Sequence, residues 1–229
     1  MWKTTLIAVA LTCALTACDD PADEVPTATV EEPTEAEPDE PTEAASDEAA
    51  EADSDEAPQP PGALVIDTSA STFEFVGSKV TGSETGHFGQ WSGWFDLQQP
   101  VEQSTVSIEI QMATVTTERD RLTQHLRSDD FFDVPNHPTA RFVTSRFAPA
   151  PEGSGDATHL VTGALTLRGQ TQTITFPATI AVTDEAVTAR AEFSIDRNRW
   201  GVSYRGMEDD LIRDQVVIRF DVRASRDSG

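Results

Sequence analysis

The chain has 229 residues, with 40 Asp or Glu against 16 Lys or Arg and a formal net charge of −24. Residues 19–60 hold 17 of the acidic side chains and no Lys or Arg, while the chain from Gly62 onward carries 23 acidic against 15 basic residues. Because such a surface repels phosphate backbones, the charge balance argues against nucleic-acid binding, and no nucleic-acid partner is expected.

The first 17 residues have the layout of a secretory signal sequence. Lys3 precedes an apolar run from Leu6 to Leu15, which is shorter than the about 20 apolar residues that a membrane-spanning helix needs. Small residues then lead to Cys18, as at the cleavage site of bacterial lipoproteins. We therefore expect residues 1–17 to be a lipoprotein signal peptide and Cys18 to carry the lipid anchor; the alternative is an ordinary signal peptide that happens to contain a cysteine.

This interpretation predicts an exported protein, anchored by lipid to a bacterial membrane and facing the periplasm or the cell exterior. Asp19, directly after Cys18, would favour the inner membrane under the enterobacterial sorting rule, which depends on the organism. Cys13 and Cys18 are the only cysteines of the chain. Since Cys13 leaves with the signal and Cys18 is acylated, the exported domain is expected to fold without a disulfide.

The acidic segment, residues 18–61 with the lipidated cysteine, is rich in Pro, Ala, Thr and Ser besides its carboxylates. It offers little apolar surface to offset the cost of ordering the chain, and its like charges repel one another. The composition therefore predicts a disordered tether that holds the folded domain, residues 62–226, away from the membrane. An acidic tail that recruits a partner is the alternative.

Alternating apolar and polar residues after Gly62 predict short antiparallel strands. Phe73 and Phe75 share one face of the first strand, and Trp91, Gly93 and Phe95 or their neighbours mark the second, over residues 87–97. The remaining predicted strands are residues 106–112, with Val106, Ile108, Ile110 and Met112 on one face, and residues 140–147, 159–168, 171–182, 186–195 and 215–224.

One stretch breaks this pattern. Leu122, His125 and Leu126 fall at helical spacing and lead into the aromatic pair Phe131 and Phe132, which predicts a short helix closing one end of the sheet. The alternative is that the aromatic pair simply forms a well-packed corner of the core. About eight strands with a single dry face, and a tight turn at residues 168–169, favour an antiparallel sheet closed into a barrel. An interior of that size is either filled by side chains or holds one slim ligand, and the alternation alone leaves both open.

No catalytic or metal-binding motif is recognisable in the sequence. The four histidines, His87, His125, His137 and His159, form no His-Glu-x-x-His pattern and have no cysteine partners in the domain, so no metal or other cofactor is expected. His125 with nearby Asp130 is the one pair that could support proton transfer, and a structural hydrogen bond is the competing interpretation. We expect a protein that is not an enzyme.

Three ordered motifs resemble the YceI-like, polyisoprenoid-binding family of bacterial periplasmic proteins. The first comprises His125-Leu-Arg-Ser, Asp130-Phe-Phe-Asp, Pro138 and Phe142; the second is Gly163-Ala-Leu-Thr-Leu-Arg-Gly; and the third is Ile195-Asp-Arg-Asn-Arg-Trp-Gly. The resemblance implies an all-β, antiparallel, eight-stranded lipocalin-like barrel with one short helical segment, around a long apolar cavity and without a catalytic site of its own.

The expected function is non-catalytic binding of an isoprenoid or similar long-chain apolar lipid within the barrel. The alternatives are a barrel with a filled core that acts as an envelope interaction or stress-response module, and a lipid-modifying enzyme that uses His125. The residues expected to line the cavity are Phe73, Phe75, Phe95, Ile108, Ile110, Leu122, His125, Phe131, Phe132, Phe142, Leu165, Leu167, Phe193 and Trp200.

Overall fold

The structure is a computed structural model that describes residues 20–31, 59–183, 185–208 and 210–225. The predicted signal peptide, Cys18 and residues 32–58 of the predicted tether lie outside the described residues, so the expectations about them stay predictions.

The described chain is almost entirely β-structure with one α-helix. Its strands are β1 Thr29–Val30, β2 Leu64–Val65, β3 Thr72–Lys79, β4 Gly82–Phe88, β5 Trp91–Asp96, β6 Thr105–Gln111, β7 Val115–Thr117, β8 Thr139–Pro149, β9 His159–Leu167, β10 Gln170–Val182, β11 Ala186–Asp196, β12 Gly206–Met207 and β13 Asp210–Ser225. Helix α1 is Asp120–Arg127, and short 3-10 helices lie at Pro21–Glu24, Thr68–Ala70, Val101–Gln103, Met112–Thr114 and Arg197–Trp200.

The long strands form one antiparallel sheet that curls round on itself. Its order runs β5-β6-β8-β9-β10-β11-β13-β3-β4, and the outermost strands of this order, β5 and β4, follow each other in the chain with only Gly89 and Gln90 between them. Counting β4 and β5 as one bent strand gives the eight strands of the predicted lipocalin-like barrel. The sequence predicted a single strand at residues 87–97; the structure bends it at Gly89, whose N–H donates to the Thr114 carbonyl.

The predicted alternation is confirmed in the strands that build the core. One buried cluster contains Val106, Ile108 and Ile110 of β6 together with Met112, which directly follows the strand. The predicted turn at residues 168–169 is also confirmed, joining β9 to β10. Arg168 and Gly169 both have positive φ, 50° and 69°, as a two-residue type I′ hairpin turn requires.

The predicted helix is confirmed as α1, and it closes one end of the barrel with the residues that follow it. Leu126 on the inner face of α1, Phe131 and Val202 pack with Phe75 and Val115 into one apolar cluster. We call residues 120–134 the end cap. At the opposite end, the rings of Phe95 and Phe147 pack with centroids 6.1 Å apart.

The prediction of a disordered tether is wrong for residues 20–31, which lie on the barrel wall and are here called the strap. The 3-10 helix at the start of the strap packs Ala22 onto Val76 and Val217. These two valines lie on the outward faces of β3 and β13. Strand β1 then pairs with β10, Thr29 opposite Thr175. Backbone hydrogen bonds and buried apolar contacts stabilise this part of the acidic segment, which composition alone did not predict.

Candidate functional site

The barrel encloses an apolar cavity of about 210 Å³. Its lining extends from Phe95 and Phe147 at one end to Phe131 and Phe132 of the end cap at the other. The cavity therefore runs along the barrel and is narrow for its length. Most of its other lining residues are aliphatic or aromatic: Ile66, Phe73, Phe75, Phe88, Val106, Ile108, Ile110, Met112, Leu126, Ala140, Phe142, Val161, Leu165, Leu167, Ile174, Phe176, Ala178, Ile180, Val187, Ala189, Phe193, Ile195, Val202, Ile212, Val216, Ile218, Phe220, Val222 and Ala224.

Most of the residues predicted to line a cavity do so in the structure. Three do not. Leu122 packs against the buried cluster that contains Phe75 and Leu126, and it does not reach the cavity. His125 contacts the rings of Phe131 and Tyr204 and does not line the cavity. Trp200 is fully buried outside the cavity, with its Nε1–H donating to the Leu165 carbonyl at 2.9 Å. The predicted residues that line the cavity are Phe73, Phe75, Phe95, Ile108, Ile110, Phe131, Phe132, Phe142, Leu165, Leu167 and Phe193.

Glycines on the wall leave room for two of the aromatic rings. A Cβ at Gly163 would lie 2.6 Å from the ring of Phe142, and one at Gly86 would lie 2.1 Å from the ring of Phe75. No side chain fits at either distance, so both rings occupy the space above a glycine rather than the middle of the barrel. Gly163 opens the second sequence motif, and this packing is a physical reason for glycine there.

Arg197 is the buried charged residue of the lining, with 4% of its surface exposed. Its guanidinium donates to the carbonyls of Val202 at 2.5 Å, Arg213 at 2.9 Å and Ile212 at 3.3 Å, and Asp214 lies 3.5 Å away. Burial lowers the pKa of the guanidinium, and Asp214 acts in the opposite direction. Because its N–H groups donate to backbone carbonyls, Arg197 stabilises the chain at Val202 and at residues 212–213 beside the cavity.

The three sequence motifs meet at Arg168, beside the end cap. Its guanidinium donates to the carbonyl of Asp129 at 2.7 Å and to the carbonyl of Gly201. Arg168 belongs to the second motif, Asp129 lies within the first, and Gly201 ends the third. One side chain therefore fixes the end cap to the β9–β10 turn and to the 3-10 helix that follows β11.

The predicted pair of His125 and Asp130 is present but lies outside the cavity. Nε2 of His125 is 2.8 Å from Oδ2 of Asp130, and the imidazole packs edge-on against the rings of Phe131 and Tyr204, with both centroids at 4.9 Å. Phe131 has the cavity on one side and His125 on the other. The arrangement fits the structural interpretation of the pair, since the imidazole does not line the space that a lipid would fill.

The described residues hold neither a cluster of metal-ligating side chains nor a membrane-spanning helix. Those residues contain no group of three or more His, Cys, Asp or Glu side chains placed to hold a metal ion. The same part of the chain has no helix of sufficient length and apolar character to cross a bilayer.

Sequence reasoning missed a large part of the lining on β10 and β11. Ile174, Phe176, Ala178 and Ile180 alternate on β10 and all line the cavity. Their signal was the same period of two that identified the other strands. Phe176 stacks on Phe193 of β11 with ring centroids 4.1 Å apart, and so belongs with the predicted residues.

The family model of the YceI-like domain matches residues 64–224. The UPF0312 protein of Pseudomonas savastanoi pv. phaseolicola is 38% identical over 96 residues, which cover 41% of this chain and 47% of that protein. The UPF0312 protein of Pseudomonas putida W619 is 36% identical over the same shares of both chains. The matched part thus spans about half the length of these curated relatives.

Solved structures give the same result for the fold. The crystal structure of BcnA from Burkholderia cenocepacia has a TM-score of 0.62 and 25% identity, covering 70% of this chain and 99% of that one. A polyisoprenoid-binding domain from Saccharophagus degradans, described as implicated in plant cell wall breakdown, has a TM-score of 0.56 and 18% identity, covering 71% of this chain and 97% of that one. With its family model matched over the whole barrel, this chain belongs to the YceI-like family.

Proposed function

We propose that the protein binds an isoprenoid or similar long-chain apolar lipid inside the barrel and catalyses no reaction on it. The observation that carries this proposal is the narrow apolar cavity between the end cap and the Phe95–Phe147 end. Membership of the YceI-like family supports it, as does the polyisoprenoid-binding domain among the structures of similar fold. The cavity weighs against the rival interpretation of a barrel with a completely filled core.

Burial of the ligand supplies the affinity. Each CH₂ group removed from water contributes about 0.8 kcal/mol, so a chain of many carbons binds tightly without many polar contacts. Within the described chain, the lining has three polar side chains, Arg141, Thr144 and Arg197. Thr144 and Arg197 already use polar atoms within the protein: the Thr144 hydroxyl accepts from the Val106 N–H at 2.8 Å, and Arg197 donates to the Val202 carbonyl. Selectivity then follows from the length and width of the ligand rather than from its head group.

The lining must rearrange to admit a whole chain. A volume of about 210 Å³ is below the roughly 300–1,000 Å³ of typical ligand pockets. The rings of Phe142 and Phe75 lie close to glycines, and the unbranched Met112 can change its shape with little strain. We expect ligand binding to widen the cavity by ring and Met rotations, with the strand ladders intact.

We also propose that the protein is exported and anchored to a membrane through an acylated Cys18. The position of the strap determines how close such an anchor would hold the barrel to the membrane. Asp20 is fixed on the barrel wall, and two residues span at most about 7 Å, so the lipid would be attached beside the barrel. A barrel held at the membrane surface can exchange an apolar chain with the bilayer directly.

Native mass spectrometry of the full chain, purified without detergent, tests the binding proposal. The expected result is a second mass series heavier than the polypeptide by the mass of one long-chain lipid, lost after extraction with organic solvent. The extracted protein should then regain a lipid from vesicles. A single mass equal to that of the polypeptide, together with no uptake from vesicles, would contradict the proposal.

A further inference from the structure

The barrel wall has one seam, between β10 and β11. The two strands pair only from Thr179 to Val182, opposite Arg190 to Val187. From Gln170 to Ala178, strand β10 pairs with β9 on its other edge, and β11 continues its ladder with β13 as far as Asp196. Within the described residues, residues 170–178 of β10 and residues 191–196 of β11 do not pair with each other. The wall therefore lacks a strand-to-strand ladder at this place.

The strap fills this seam and bonds to both of its edges. On the β10 side, the Glu31 N–H donates to the Thr173 carbonyl at 3.0 Å. On the β11 side, the Ala28 N–H donates to the Ser194 carbonyl at 2.8 Å, and the Ser194 N–H donates to the Pro26 carbonyl at 2.9 Å. Residues 26–31 therefore act as a short additional wall strand between β10 and β11.

The strap also separates the cavity from the exterior. Ala28 is 5% exposed and packs in the same cluster as the cavity lining, and Val30 packs against that cluster. Behind the strap, the rings of Phe176 and Phe193 stack across the seam at 4.1 Å, and both line the cavity. Removing the strap would leave this ring pair as the remaining barrier between the seam and the cavity.

Opening the seam disrupts less structure than opening the end cap. Residues 26–31 of the strap are joined to β10 and β11 by backbone hydrogen bonds along one short segment, whereas the end cap is fixed by a buried cluster and by Arg168. The β9–β10 and β11–β13 ladders on either side do not depend on the strap. Local opening of a short, weakly bonded segment needs less free energy than unfolding of the barrel.

We propose that residues 26–31 form a removable wall strand and that the seam beneath them is the lateral entrance through which a long apolar chain reaches the cavity. The inference rests on the proposed function for the identity of the ligand, but the opening of the strap can be measured without one. The chain enters sideways, between β10 and β11, once the strap lifts and the Phe176 and Phe193 rings rotate apart.

Hydrogen exchange of the full chain without ligand tests the strap. The amides of Ala28, Glu31 and Ser194 are expected to exchange through an opening that leaves the β9–β10 ladder protected. Exchange of these three amides only at the rate of global unfolding would overturn the removable strand. This result is independent of whether any lipid binds.

Disulfide locks test the entrance. The background is the full chain with Cys13 and Cys18 replaced by Ser. One disulfide, formed by Thr27→Cys and Ser194→Cys, joins the strap to β11. A second, formed by Thr29→Cys and Thr175→Cys, joins the strap to β10. The hydroxyls of Thr27 and Ser194 already lie 3.0 Å apart, and Thr29 stands opposite Thr175. With both locks closed, uptake of cis-parinaric acid, a fluorescent long-chain polyene, should slow about tenfold or more relative to the reduced protein.

The matched control is a lock of similar geometry away from the seam, Thr166→Cys with Thr171→Cys, whose hydroxyls lie 2.8 Å apart on β9 and β10. This lock should leave the uptake rate unchanged, and the affinity at equilibrium should be the same in all variants. Equal uptake by the locked and reduced seam variants would overturn the lateral entrance. Absence of probe binding in every variant, with the wild-type chain included, would instead refute the proposed function.

Discussion

The carboxylate Oδ2 of Asp20 lies 3.1 Å from Nη1 of Arg213 on β13. Asp20 is 7% exposed and also accepts from the Ala22 N–H at 3.2 Å, so it both begins the 3-10 helix of the strap and fixes that helix to the barrel. The acidic segment was expected to separate the barrel from its anchor. This ion pair instead holds the start of the segment on the wall.

Asp20→Asn tests how much the charge of Asp20 contributes to the free energy of unfolding. The amide keeps the side-chain oxygen that caps the helix but removes the charge opposite Arg213, whose side chain is partly exposed. We expect the free energy of unfolding to fall by about 1–2 kcal/mol, and the strap amides to exchange several-fold faster. Chemical denaturation and hydrogen exchange provide the measurements. Asp23→Asn, an exposed carboxylate of the same 3-10 helix, is the control, and equal effects of the two variants would refute the role of the ion pair.

The two phenylalanines of the end cap should differ in what they stabilise. Phe131 is buried between the cavity and the rings of His125 and Tyr204, so Phe131→Ala should reduce the free energy of unfolding by about 3–5 kcal/mol. Phe132 is half-buried and contacts Phe75 edge-on, so Phe132→Ala should cost less stability and weaken lipid binding more. Thermal denaturation and lipid titration separate the two effects. Equal losses of stability with unchanged affinity would show that both rings are simply core.

Arg197→Met tests whether this arginine is structural. The variant removes the donors from the carbonyls of Val202, Ile212 and Arg213 and leaves them unsatisfied near the cavity. We expect a loss of about 3–5 kcal/mol in the free energy of unfolding, measured by urea denaturation. Arg199→Met, the exposed neighbour two residues along, should change stability little. A stable Arg197→Met protein that has lost lipid affinity would assign Arg197 to the ligand instead.

Acylation at Cys18 is testable by growing cells with labelled palmitate. The wild-type protein should incorporate the label, and Cys18→Ser should not, because the thiol is the site of attachment. Cys13→Ser is the matched control: it lies in the predicted signal peptide and should leave labelling intact. Label retained in Cys18→Ser, or absent from the wild-type protein, would contradict the lipoprotein interpretation.

The barrel was predictable because each long strand repeats with a period of two. Ile108 and Ile110 illustrate this, since both face the cavity as the alternation predicts. The strap was not predictable from its own composition, which is acidic and contains few apolar residues. A signal lay elsewhere: Val76 and Val217 fall on the outward faces of β3 and β13, where the alternation predicts polar side chains, and both need a cover.

Individual cavity residues were harder to predict than strands. Trp200 is apolar and lies in a motif, but its indole N–H needs a partner, and the Leu165 carbonyl holds it outside the cavity. His125 follows the helical period, but it lies on the outer side of Phe131. In both cases the position depends on a tertiary contact that no local pattern encodes.

A lipid chain that occupies the interior of the barrel should bind more weakly when that interior is made narrower. Ala178 lines the cavity from β10, and Thr171 is an exposed residue of the same strand. The measurement is the dissociation constant of a long-chain fluorescent lipid for Ala178→Trp, Ala178→Leu and Thr171→Trp, each first shown to be folded by circular dichroism. Binding of the lipid inside the barrel predicts a loss of affinity of about tenfold or more for Ala178→Trp, a smaller loss for Ala178→Leu and none for Thr171→Trp. Folded Ala178 variants that bind the lipid as tightly as the wild-type protein would contradict it.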